Sequence, residues 1–92
     1  SEKYNDSCKK ILNSLNNYDI RGFVDERNEK IGRKIRDAEV KKVPYMLIIG
    51  EKEVESGALA VRRHGQGDIG EFTEKEFADL VNQEVEALIL ES

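Results

Sequence analysis

Tryptophan is absent from this 92-residue chain, and proline, cysteine, methionine and histidine each occur once. A lone cysteine, Cys8, excludes an internal disulfide and points to a reducing compartment. One cysteine and one histidine exclude the usual Cys/His metal sets, and the carboxylates show no ligand spacing, so no metal site is expected. No arrangement of nucleophile and base supports covalent catalysis, so no catalytic residue is expected either. No apolar run approaches the roughly 18–20 residues of a membrane span. The opening SEKYNDSCKK has no apolar core, which argues against a signal peptide. It also lacks an initiating Met, so the chain is expected to be part of a longer, excised or processed protein. A net basic charge is missing too. The formal total of −4 excludes a generic polyelectrolyte binder but leaves room for a local basic patch.

What is present suits one small domain: 38% hydrophobic and 37% charged residues. The segment 25–44, DERNEKIGRKIRDAEVKKVP, stands out. Between Arg27 and Lys42 it carries seven bases against three acids, in an acidic chain. From Glu71 to Ser92 the balance reverses, with seven acids and one base. A basic helix between two apolar runs is the natural place for an anionic partner.

The periodicity predicts a helix over 5–18, with Tyr4, Cys8, Ile11, Leu12 and Leu15 on one stripe. Asn5 or Asp6 is its expected cap. Ile20–Asp25 reads as a short strand, in which Gly22 marks a close backbone approach. A second helix is predicted over 28–42, with Ile31, Ile35 and Ala38 inward and Asp25 or Asn28 as cap. Pro44 ends it. Tyr45–Ile49 reads as a strand buried on both faces. Turn signals follow at 50–52 and 55–57, and 58–64 is expected to pair antiparallel with 44–50. GQGDIGEF (65–72) reads as a glycine-rich connector with a short extended piece at 69–72. Thr73-x-x-Glu76 is a capping box opening a third helix, whose stripe is Phe77, Leu80, Val81, Val85 and Leu88. No strand is predicted after it. The fold class is therefore α/β, a mixed β-sheet flanked by three helices. A natural βαβαβ order needs one more strand before residue 1, so a strand is expected to be missing.

Most motifs have bland readings. GQGDIG (65–70) matches G-x-G-x-x-G, but the next helix begins only at Thr73, no strand is predicted after it, and nearby acids would repel a pyrophosphate. His64 extends the polar edge of Arg62 and Arg63. Cys8 reads as a small buried hydrophobe. Carboxylate pairs such as Asp25/Glu26 and Glu53/Glu55 arise by chance among 19 acids. The basic set Lys30, Arg33 and Arg36, joined by Arg62 if its strand shares the sheet, leaves two readings open. It is a solvated charged face or a nucleic-acid patch.

The string R-N-E-K-I-G-x-K-I-R (27–36), followed by V-P-Y-M-L-I-I-G-x-K-E-V (43–54) and GDIGEFTEKEFADLV (67–81), closely resembles the C-terminal anticodon-binding domain of threonyl-tRNA synthetases, class II enzymes. The resemblance covers nearly the whole chain, 1–92. It implies a fold whose first strand lies just upstream of SEKYND, between the strands matching 20–25 and 44–50. Without that strand the sheet should have an open slot and unpaired edges through which copies could self-associate.

The resemblance also implies that Asn28, Arg36, Glu53 and Arg62 read anticodon bases. Arg33, Lys34 and Lys42 are then backbone contacts or solvated charge. It implies binding of the threonine tRNA anticodon loop and selection of that tRNA for ATP-dependent aminoacylation by an absent catalytic domain. The cofactors ATP, Mg²⁺ and Zn²⁺ would belong to that full-length enzyme, a cytoplasmic homodimer, and none to this segment. The alternative is a stand-alone relative of this fold acting as an RNA- or protein-binding accessory module. A small enzyme is the weakest reading.

Overall fold

Apolar runs of strand length alternate here with helical stripes, and they assemble into one mixed sheet covered on both faces. The computed structural model describes residues 4–83 and 88–91. Nine elements follow in order: α1 (Asn5–Asn16), β1 (Gly22–Asp25), α2 (Ile31–Val40), β2 (Tyr45–Ile48), α3 (Glu51–Ser56), β3 (Leu59–Arg63), β4 (Gly67–Phe72), α4 (Glu74–Asn82) and β5 (Leu88–Glu91). The sheet order is β1-β5-β2-β3-β4. β5 runs parallel to both β1 and β2, while β3 is antiparallel to β2 and to β4.

Strand alternation decides which side chains each face receives. Tyr45, Leu47, Val61, Leu88 and Leu90 point to the face covered by α1 and α4, where they meet Cys8, Leu15, Phe77, Ala78 and Val81. Tyr45 and Phe77 pack edge to face, with ring centroids 5.4 Å apart. Met46 and Ile89 point to the opposite face, against Ala38 and Ile35 of α2. Thr73 opens α4 as its spacing predicts. Its hydroxyl accepts the Glu76 N–H at 3.1 Å, and Glu76 returns a carboxylate to the Thr73 N–H at 2.8 Å. Among the described residues no helix is long and apolar enough to cross a membrane.

The expected open slot is filled. β5, the run LILE, lies between β1 and β2, and all four of its residues are buried. Continuous burial is what a parallel strand with both faces covered requires. Gly22 makes the close approach its position suggested, because a Cβ there would run into the Leu88 carbonyl oxygen. The strand also corrects the third helix. α4 ends at Asn82, Leu88 belongs to the sheet, and Val85 lies outside the described residues.

Three smaller corrections follow. Residues 67–72 form β4, hydrogen-bonded to β3, so the glycine-rich stretch is sheet after a turn at 64–66. Residues 51–56 form a fourth helix, closed by Gly57 at φ 77°, a left-handed position that favours glycine. α1 and α2 are each shorter than their stripes implied. Both lack a side-chain cap bond, so neither Asn5, Asp6, Asp25 nor Asn28 caps them.

Candidate nucleic-acid interface

β1 and β2 are parallel, so their following loops emerge at the same end of the sheet. Crevices at that carboxyl end are the usual ligand positions of α/β sheets. The loop after β1 carries Asn28, exposed and outside α2 rather than within it. The loop after β2 leads into α3, which carries Glu53 in its first turn. Glu53 Oε1 accepts the Gly50 N–H at 2.8 Å. Glycine has no side chain to complete a capping box, so the bond is one-way. It fixes Glu53 at the start of α3 and uses one of its two oxygens.

Arg62 lies farther down the sheet. Its register partner is Met46, near the start of β2, so it points to the α2 face. Arg62 Nε is buried and meets no hydrogen-bond acceptor among the described residues. Buried donors are seldom left unpaired, and such an atom is a natural point for a ligand acceptor. A narrow groove between α2 and β3 runs beside it, lined among others by Ile35, Glu39, Met46 and His64. Arg36 is exposed on α2. Helical spacing puts it roughly 60° around the axis from Glu39, on the outer shoulder of the same groove. Across the groove, Glu39 Oε2 lies 2.9 Å from His64 Nδ1 and accepts the Gly65 N–H at 3.4 Å, which ties α2 to the β3–β4 turn.

The four expected residues therefore fall into two pairs. Asn28 and Glu53 sit in neighbouring loops at the carboxyl end of the parallel strands. Arg62 lines the groove about three residues, or roughly 10 Å, farther along the strands, and Arg36 lies on α2 at the outer shoulder of that groove. An extended single strand, with several bases splayed out, matches that layout better than a compact small molecule does.

Not every base in the 27–42 segment is available. Lys34 is 1% exposed, and its Nζ donates to Glu91 Oε1 at 2.7 Å and to the Asp25 carbonyl at 3.1 Å. It is a buried structural cation, not a backbone contact or solvated charge. Burial pushes the Glu91 carboxyl up against the opposing pull of Lys34. Arg27 grips Asp25 through two nitrogens and Asp37 through a third. The guanidinium bond to each carboxylate holds both below the usual range. These internal networks were invisible as such in the sequence, where only the clustering of opposite charges hinted at them. Lys30, Arg33, Arg36, Lys41 and Lys42 form no ion pair among the described residues and are left as the accessible positive charge of the segment.

A larger cleft of about 490 Å³ opens on the other flank of α2, between Phe23, Ile89 and Lys41. It contains the Arg27 clamp and none of the four expected residues. Cys8 is buried as expected, its thiol pushed up to about 11 by loss of solvent, so it stays protonated and unreactive.

A family model described as an anticodon binding domain matches residues 1–84. A threonine–tRNA ligase of Bacteroides fragilis is 53% identical over 89 residues, covering 97% of this chain and 14% of the relative. That of Parabacteroides distasonis is 54% identical over 89 residues, with the same coverage. That of Flavobacterium johnsoniae is 51% identical over 87 residues, covering 92% of this chain and 13% of the relative. The chain thus spans about 14% of the length of these curated relatives. β5 lies beyond the residues that the family model matches.

Proposed function

The chain belongs to the anticodon binding domain family, and on that premise we propose that it reads the anticodon loop of threonine tRNA through Asn28, Arg36, Glu53 and Arg62. The observation that carries the reading is the α2–β3 groove. Arg62 in the groove and Arg36 at its shoulder form no ion pairs among the described residues, and Arg62 presents a buried Nε with no partner among them. Arginine offers paired donors to base edges, and the Asn28 amide and the remaining Glu53 oxygen offer acceptors. Lys30, Arg33 and Lys42 supply the sequence-independent attraction to phosphates.

The relatives' names add the wider setting. As a module of a threonine–tRNA ligase, the chain would select tRNA for a catalytic domain elsewhere. That domain would hold ATP, Mg²⁺ and Zn²⁺, in a cytoplasmic, homodimeric enzyme. The test is fluorescence anisotropy of this chain with a threonine anticodon stem-loop and loops altered at each anticodon base. Arg62→Ala and Arg36→Ala should each cost about 1–3 kcal/mol on the cognate loop and relax preference at one base. Unchanged binding and preference in both variants would refute the assignment.

A further inference from the structure

Of the seven bases in 27–42, only Arg27 and Lys34 form ion pairs among the described residues. Lys34 is buried under the sheet, but Arg27 is partly exposed and sits next to Asn28. Three of its five guanidinium N–H groups are nonetheless engaged by carboxylates. Nε donates to Asp25 Oδ1 at 2.9 Å, Nη2 to Asp25 Oδ2 at 2.7 Å and Nη1 to Asp37 Oδ2 at 2.8 Å. The Arg27 backbone N–H also donates to Asp25 Oδ1 at 3.1 Å, and the Arg27 carbonyl accepts the Glu29 N–H at 2.9 Å. Asp25 ends β1 with its side chain 4% exposed, and Asp37 belongs to α2. The loop holding Asn28 is therefore anchored to a strand and a helix through one planar group.

We infer that Arg27 is a positioning residue for base readout, setting the height and angle of the Asn28 amide, and not a phosphate contact. This rests on the reading proposed above. Three features carry it. All three guanidinium nitrogens already donate, with three of the five N–H groups engaged by two carboxylates, so the charge a phosphate would seek is already paired inside the fold. The Asp25 contact is bidentate, which fixes the plane of the group as well as its distance. Lysine offers a single charged head and cannot hold two carboxylates in that plane. Asn28 has no internal partner of its own among the described residues, so its orientation is inherited from the clamp beside it.

The experiment measures binding of this chain to the threonine anticodon stem-loop, and to loops changed at each anticodon base, over a range of salt. Asn28→Ala first identifies the base it reads. Arg27→Ala should lose roughly ten-fold of the discrimination at that same base while keeping the wild-type salt slope. Arg27→Lys should not restore it, and adding Asn28→Ala to Arg27→Ala should cost nothing more at that base. Should Arg27→Ala fold poorly, Asp37→Asn removes the charge that holds one arm of the clamp on its exposed side and should give a partial loss of the same discrimination. Uniform weakening for every loop, with the salt slope reduced by about one, would make Arg27 a phosphate contact and overturn the inference. Unchanged discrimination in Arg27→Ala or in Asp37→Asn, with the wild-type chain discriminating, would overturn it alone. A wild-type chain that binds all loops alike would overturn both the inference and the reading beneath it.

Discussion

Replacing Lys34 by methionine tests what holds the central strand in place. Lys34 Nζ and Glu91 Oε1 are 2.7 Å apart, and both side chains are 1% exposed, so solvent does little to screen the pair. Methionine nearly preserves the volume of the stem but takes the Lys34 charge away from the Glu91 carboxylate inside the fold. Breaking one partner of such a buried pair costs about 3–5 kcal/mol. Whole domains have only about 5–15 kcal/mol of stability, so a large share would go. At roughly 4–8 °C per kcal/mol the melting temperature should fall by more than ten degrees. Glu91 has a partial escape, because its carboxyl is already pushed up by burial and can take a proton. The loss in Lys34→Met should thus be larger at pH 7.5 than at pH 5. Adding Glu91→Leu removes the stranded charge and should recover most of the stability. Urea unfolding followed by circular dichroism at both pH values gives all the differences. A single-variant cost below about 1 kcal/mol, or a double variant as unstable as the two single losses added, would refute the reasoning.

Gly22→Ala should cost about 1–3 kcal/mol in the same assay, because the clash is with the backbone carbonyl of Leu88 as well as with its side chain, and the backbone cannot yield as a side chain could. Gly32→Ala is the contrast: its Cβ would meet nothing, and a helical glycine gives way to alanine with a gain of about 0.4–1 kcal/mol. Acid should unfold the chain partly through the Arg27 clamp. Asp25 and Asp37 have folded pKa values lowered from 3.8, so their contribution is complete above that value and is lost as pH falls through the folded pKa. Arg27→Gln should flatten that part of the acid limb, as melting curves between pH 2 and 5 would show. Glu91 acts in the opposite sense. Raised from 4.5, its contribution is complete below that value and is lost as pH rises through the folded pKa, and Glu91→Gln should remove that dependence.

Much of the architecture was legible where long apolar patterns exist. The stripe at Cys8 and Leu15, the buried run at Tyr45–Ile49 and the Thr73 capping box all led to the elements found. β5 was hidden because LILE follows an acidic helix with no Gly or Pro between them. In that setting Leu88 also fits the helical period, and a four-residue apolar run cannot be told from a last turn by spacing alone. β4 was hidden by its glycines, which weaken a strand signal even when the backbone pairs fully. In the candidate site, the types at Asn28, Arg36, Glu53 and Arg62 were readable from the resemblance. That Lys34 and Arg27 are turned inward was not, because ion pairing depends on which carboxylates the topology brings near. Glu91 reaches Lys34 only because β5 enters the sheet 57 residues away.

The most direct test of the central claim maps the RNA on the protein. Titrating an isotope-labelled chain with the threonine anticodon stem-loop should shift NMR signals along the α2–β3 groove and its loops, including Asn28, Arg36, Glu53 and Arg62. Phe23 and Lys41, on the opposite flank of α2, should stay near their free positions. Shifts confined to the Phe23–Lys41 cleft, or no saturable shifts at all, would contradict the account.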